Sequence, residues 1–197
     1  MSLNNKKSII LIGGGGHCKS AIDVIESTGL FQIIGIVDVK ENVGKKVLNY
    51  EIIGTDDDLP SLIRLHENVH ITLGYIKSNK NRISLYNQIK SLKGNFPIII
   101  SSLAYVSKYA EIGDGTIIMH QAIVNASAKI GCNSIINTKA LIEHDAIIGN
   151  NCHISTGAIV NGGVEVGENT FLGSGAVSKQ YIKIPANSFI KANSIIK

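Results

Sequence analysis

From Val106 to Leu172 an aliphatic side chain returns at every sixth position: Val106, Ile112, Ile118, Val124, Ile130, Ile136, Ile142, Ile148, Ile154, Val160, Val166 and Leu172. Four residues after each stands a small or modest one, from Ala110, Thr116 and Ala122 to Thr170 and Ala176. A period of six fits neither the 3.6-residue turn of a helix nor the two-residue alternation of a strand. It predicts a hexapeptide β-helix in which each unit forms one side of a triangular coil. The aliphatic residue points to the axis, and the small one fits the tight interior. The coils are predicted over about residues 100–177. The stretch 180–197 reads as a tail with one further strand-like apolar run.

Before the repeat, the pattern switches between strand and helix. The buried run Ile9-Ile10-Leu11-Ile12 ends in four glycines, Gly13 to Gly16. Helical spacing of Ala21, Ile22, Val24 and Ile25 predicts a helix over 19–28, stopped by Gly29. A second strand over 33–37 ends at Asp38. A helix over 56–66 follows, with Thr55 as N-cap. A strand over 69–73 leads to Gly74, a helix to 79–92, and a strand to 96–100. This alternation predicts an α/β, Rossmann-like parallel sheet covered by helices. The division is therefore a Rossmann-like domain over 1–99 and a β-helix domain over 100–197, with Ile98-Ile99-Ile100 running into the repeat without a flexible linker.

Composition narrows the function classes. Hydrophobic residues make up 44% and charged residues 17% of the 197, which supports a packed core and argues against disorder. The net charge of +4 is mild and its lysines are scattered, so nucleic-acid binding has little support. Cys18, Cys132 and Cys152 show no zinc spacing and no disulfide framework. The first apolar run is too short for a signal peptide and no segment is long enough to span a bilayer, so a cytoplasmic protein without membrane contact is expected.

Two places carry candidate chemistry. A strand, a glycine turn and a helix start make an anion site, because helix N-terminal N–H groups are unpaired and glycine lets a phosphate come close. His17 follows the glycines. Asp38 ends the next strand, where dinucleotide-binding folds place a ribose-binding acid, and Lys40 just beyond could meet a phosphate. A nicotinamide enzyme is disfavoured, since Cys18 or Lys19 stands where the third fingerprint glycine belongs.

The other place is His144, third in the unit Ile142 to Ile147, near a coil corner and pointing outward. A neutral imidazole suits proton removal from an amine or hydroxyl nucleophile near pH 7. Glu143 and Asp145 flank it, and by the pattern either could orient the ring. Asn161-Gly162-Gly163 places flexible backbone on a coil edge, where an N–H could stabilise an oxyanion. His153, a coil side later, reads as a side-facing polar residue. His120 has no acid beside it. His66 and His70 read as helix-end and loop residues.

These motifs resemble a known family. Ile-Gly-Gly-Gly-Gly-His (12–17), Ile-Val-Asp (36–38), Asn137-Thr138-Lys139-Ala140-Leu141-Ile142-Glu143-His144-Asp145 and Cys152-His153-Ile154-Ser155-Thr156-Gly157-Ala158 occur in this order in bacterial sugar acyltransferases. The type member is the UDP-4-amino-sugar N-acetyltransferase of bacillosamine synthesis, and the group includes sialic-acid O-acetyltransferases. The resemblance implies a left-handed β-helix, a homotrimer with active sites between subunits, and no metal. It implies His144 as general base and Asp145 as its orienter. Asn137, His153, Gly162 and Ser174 match acetyl-CoA contacts, Gly162 through its N–H. Ala192 stands in the tail, where many such enzymes carry Gly-x-Pro-Ala over the coenzyme. Gly15, Gly16, His17 and Asp38 match nucleotide-sugar contacts, and Lys40 and Gly74 complete the expected substrate set. Val39 departs from a position that is often a second Asp, and residues 75–79 form a longer connection than in the bacillosamine-type enzymes.

The expected activity is acetyl transfer from acetyl-CoA to a sugar by direct attack, first of all on a UDP-linked 4-amino-4,6-dideoxy sugar in surface-glycan synthesis. O-Acetylation of sialic acid or a related free sugar is the alternative. A non-enzymatic trimeric binding module is the alternative from another class.

Overall fold

The computed structural model describes residues 6–197, so the first five residues of the 1–99 domain lie outside the described residues. Two compact units form. One comprises residues 6–74 and Lys80–Pro97, the other Tyr75–Asn79 and Ile98–Lys197. The sequence-based boundary at 99/100 thus lies two residues from the structural one. The short segment Tyr75–Asn79 groups with the coils, which no apolar periodicity announces.

The first unit is built on five strands, β1 (Lys7–Ile12), β2 (Phe31–Val37), β3 (Lys46–Val47), β4 (Tyr50–Gly54) and β5 (Asn68–Ile71), in the order β3-β4-β2-β1-β5. All neighbours are parallel except the edge pair β3 and β4. The β3–β4 ribbon was not foreseen, because its two-residue first strand is too short for a periodic signal. Helix α1 (Gly16–Thr28) buries Cys18, Ala21, Ile22, Val24 and Ile25 and closes on Gly29 at φ 66°. It starts three residues before the predicted Lys19, on glycine, which has low helix propensity and so hides the start. Helices α2 (Leu59–His66) and α3 (Lys80–Ser91) cover the sheet face carrying Ile10, Ile12, Val69 and Ile71. A 3-10 turn, Asp56–Asp58, precedes α2, and Thr55 and Asp58 form a reciprocal capping box at its start.

His70 corrects the sequence reading. It lies within β5 and is fully buried, not in a loop. Burial, then the charges of Arg82 and His17, hold its imidazole well below its usual pKa, so it is neutral.

The second unit is a left-handed parallel β-helix of three sheets. Two-residue strands stack in register at intervals of eighteen residues, as in Leu141 on Ile123 and Ile159 on Leu141. Every sixth residue from Gly115 to Asn193 has positive φ and turns a corner. The interior is the one the periodicity predicts: Ile118, Val124, Ile130 and Ile136 interleave with Ala122, Ala128, Ala140 and Ala146, all buried.

The coils do not end near residue 177. Strands continue at Lys183–Ile184, Phe189–Ile190 and Ile195–Ile196, so the predicted tail is further β-helix. The six-residue series hides this at Ser178, a buried polar residue where an aliphatic one is due. Ser178 Oγ accepts the Asn161 N–H at 2.9 Å and its carbonyl accepts the Asn161 amide at 2.5 Å. The break in the pattern is therefore a fastening for the corner that carries Gly162.

The outward positions distinguish the three faces. One face presents Ile123, Leu141, Ile159, Val177 and Ile195. The next carries ion pairs, Glu111 with Lys129 at 3.0 Å and Glu165 with Lys183 at 2.9 Å. The third is aromatic toward its C-terminal end, with His153, Phe171 and Phe189 aligned in register.

Candidate active site

His144 sits in the turn after strand Leu141–Ile142, at the corner between the apolar and the charged face. Its side chain is 53% exposed and its Nδ1 lies 2.8 Å from Asp145 Oδ2. Of the two flanking acids, it is Asp145 that meets the ring. It can do so because it occupies the positive-φ corner position, φ 60°, which aspartate tolerates better than most residues. Glu143 is engaged elsewhere: its Oε2 accepts the Asn125 amide at 2.9 Å and the His144 N–H at 3.3 Å.

Gly162 lies one coil further on, buried beneath the imidazole. A Cβ there would fall 2.8 Å from both Cε1 and Nε2 of His144, so only glycine lets the ring settle. Its neighbour Gly163 donates to the His144 carbonyl, and the Gly162 carbonyl accepts the Tyr181 N–H. Among the described residues the Gly162 N–H meets no acceptor. Gly162 is thus a buried residue next to an exposed imidazole, with a backbone N–H left as a donor for a ligand.

The opposite edge of the apolar face gathers the remaining predicted coenzyme contacts. Asn137, Ser174 and Ala192 all lie in the turns between the aromatic and the apolar face, with Ser174 and Ala192 eighteen residues apart and both exposed. Ser174 Oγ lies 3.0 Å from Ser155 Oγ. Gly173 makes room for the next coil, since a Cβ there would meet Ala192 N at 2.4 Å. His153 differs from its sequence reading. It does face outward from its coil side, but it is only 6% exposed, and both its ring nitrogens meet protein atoms, Tyr75 O at 2.8 Å and Asn137 Nδ2 at 3.1 Å.

In the first unit the predicted residues fall into two groups. Asp38 and Lys40 line a cavity of about 600 Å3 together with Gly13, Asp56, Asn81 and Gln88. Gly15 and Gly16 open α1 at the exposed surface, and His17 packs against Gly74, where a Cβ would come within 3.0 Å of its own. Gly13 is required by its φ of 102° and Gly14 by the nearby Asp38 carboxylate. Gly15 and Gly16 meet neither demand, having open space where a side chain would stand. Asp38 accepts the N–H groups of Gly14 and Val39 and the Asn42 amide. Burial pushes its carboxyl up, but these three donors outweigh it and hold the pKa below its usual value. Asp56, on the same cavity, is raised by burial and by the charges of Asp38 and Asp57.

Tyr75, Asn125 and Ser178, which hold His153, Glu143 and Asn161 respectively, are supporting residues that sequence reasoning missed. Only Ser178 left a signal, as a polar residue on the aliphatic register. Among the described residues no helix is long and apolar enough to cross a membrane, and no cluster of His, Cys, Asp and Glu is suited to hold a metal ion.

Residues 8–89 match the family described as PglD N-terminal domain, and residues 145–177 match Bacterial transferase hexapeptide (six repeats). No curated protein matches the chain. Among solved structures, PerB from Caulobacter crescentus in complex with CoA and GDP-perosamine is 30% identical, with 100% of this chain and 91% of that one covered and a TM-score of 0.89. The perosamine N-acetyltransferase of the same organism, solved with the same ligands and one histidine replaced by asparagine, is 29% identical over the same shares, with a TM-score of 0.90. The acetyltransferase domain of PglB from Neisseria gonorrhoeae, in complex with acetyl coenzyme A, is 27% identical over 98% of this chain and 93% of that one, with a TM-score of 0.89. On this likeness over the full length, the chain belongs to the hexapeptide-repeat sugar acetyltransferases with a PglD-type N-terminal domain.

Proposed function

We propose that the chain transfers the acetyl group of acetyl-CoA to an amino group on a nucleotide-linked sugar. The observation that carries this reading is the His144 corner: an exposed imidazole, oriented by Asp145, over the buried and unpaired N–H of Gly162. With Asp145 on Nδ1–H, Nε2 is left as the base. It takes a proton from the amine as nitrogen bonds to the thioester carbonyl carbon. The Gly162 N–H holds the oxyanion until the carbon–sulfur bond breaks, and the departing thiolate is reprotonated. No acyl-enzyme is needed. Burial, reinforced by the charge of Glu168, pushes the Cys152 thiol to about 11 despite N–H groups directed at it, which disqualifies it as a nucleophile.

Support for the acceptor comes from the relatives crystallised with GDP-perosamine. The open backbone at Gly15 and Gly16 and the cavity beside Asp38 and Lys40 are suited to the nucleotide part. On this reading Asn137, Ser174 and Ala192 hold the coenzyme. A homotrimer is part of the proposal. The outward Ile123, Leu141, Ile159, Val177 and Ile195 form an apolar strip with the His144 corner on one edge and the Asn137 corner on the other, and a second copy covering it would assemble a site from both edges. A cytoplasmic location follows from the co-substrates.

The test is thiol release from acetyl-CoA with a panel of GDP- and UDP-linked amino sugars and free sialic acid. The reading expects release with a nucleotide-linked amino sugar and a loss of about 10²-fold or more in turnover for His144→Ala. Release with free sialic acid alone would move the acceptor to a hydroxyl. Turnover unaffected by His144→Ala would overturn the mechanism.

A further inference from the structure

The contacts around His153 point to a role other than touching the coenzyme. We infer that Tyr75 and His153 are positioning residues, which fix the orientation of the Asn137 amide for the coenzyme. This rests on the acetyl-CoA reading above.

A backbone carbonyl can only accept a hydrogen bond. The Tyr75 carbonyl, 2.8 Å from His153 Nδ1, therefore requires the hydrogen on Nδ1. In the neutral ring Nε2 is then an acceptor, and the Asn137 side chain must turn its NH2 toward it, at 3.1 Å. That orientation sends Asn137 Oδ1 to the Thr138 N–H, at 2.7 Å. The other tautomer would reverse the amide and set its NH2 against the Thr138 N–H. Asn137 is half-buried, and among the described residues its second N–H has no acceptor, so it is the donor left for a ligand. The carbonyl of residue 75 thus decides which group residue 137 presents.

Tyr75 is itself held firmly. Its hydroxyl donates to Asn151 O at 2.6 Å, with Thr170 O at 3.2 Å. Its ring meets His153 edge-on at 5.5 Å between centroids and Phe171 at 6.2 Å. Asn79 fastens the other end of the segment, with Nδ2 at 3.4 Å from both Asn151 O and Asn169 Oδ1. This clasp gives the longer connection after Gly74 a purpose within the coil unit.

Steady-state kinetics of thiol release tests the relay. His153→Phe and Asn137→Ala should each raise the KM for acetyl-CoA about 10-fold, the worth of one well-placed hydrogen bond, while kcat at saturation and the acceptor KM hold within about 2-fold. Because one residue acts through the other, the double variant should be no worse than the poorer single one. Tyr75→Phe, which keeps the ring and the carbonyl, should raise the same KM by about 3-fold, the smaller effect of a loosened clasp. A double variant near 100-fold, the product expected of independent contacts, would overturn the relay, as would an unchanged KM in His153→Phe or a loss confined to kcat. Nitrogen-15 spectra of the unmutated protein give a readout that needs no variant to fold: His153 should be the neutral Nδ1–H tautomer, and an Nε2–H ring would overturn the inference. A wild-type chain that releases no thiol from acetyl-CoA would instead sink the underlying activity.

Discussion

A methyl group added at residue 162 would crowd the Cε1 and Nε2 atoms of His144 at 2.8 Å. Gly162→Ala must then displace the base or the turn beneath it, and turnover should fall by about 10²-fold, comparable to loss of a general base, with folding retained. Full activity in that variant would mean that the ring does not work from this position. Thiol chemistry gives a second prediction at this scale. With the Cys152 thiol raised to about 11 by burial, iodoacetamide at pH 8 should leave both Cys152 and acetyl transfer intact; labelling of Cys152 with loss of activity would contradict the direct mechanism. His144 was legible in the sequence because a polar residue beside a regular apolar series has nothing to do in the core. The close packing of its ring on Gly162 was not, since residues eighteen apart become neighbours only after the coil has closed. The choice of Asp145 over Glu143 likewise depends on corner geometry, which reverses the simple alternation of a strand.

Among the elements, the coils were readable wherever the aliphatic series was unbroken. They became unreadable at Ser178, where one side chain is spent on fastening Asn161. Strands and helices of the first unit were also readable by pattern, apart from the β3–β4 ribbon, the glycine start of α1 and the strand expected over 96–100, of which only Ile99–Ile100 forms, as part of the coils. The loop between β1 and α1 yields a pH prediction. Asp38 has a folded-state pKa below its usual value near 3.9, so its contribution to stability is fully present above that value and is lost as pH falls through the lower folded one. Asp38→Asn should therefore unfold at lower urea than the wild type at pH 7, and the gap should close as pH falls below the ordinary aspartate range of about 3.9. A gap that stays constant over this range would show that the carboxylate charge is not what organises the Gly14 turn.

For the molecule as a whole, the proposed trimer rests on the apolar strip. Ile159 stands in the middle of it and is half-buried in a single chain. Ile159→Lys points a charge at the proposed partner without touching the coil interior. Sedimentation should show trimers for the wild type and monomers for the variant, with turnover lost and the melting of the isolated coil unit little changed. A variant that remains trimeric would place the subunit contact on another face. The asparagine ladder at the corners, in which Asn133, Asn151, Asn169 and Asn187 bond in sequence through their side-chain amides, has a consequence for how such a chain can change length. It repeats every eighteen residues, the same interval that sets Gly162 beneath His144. Inserting or deleting a whole coil leaves each column aligned and merely lengthens or shortens the prism. A six-residue insertion rotates everything downstream by a third of a turn, carrying the Gly162 corner away from His144 while the apolar register stays perfect. Chain length in this fold is thus counted in two units at once, six for folding and eighteen for chemistry, and only the larger preserves both.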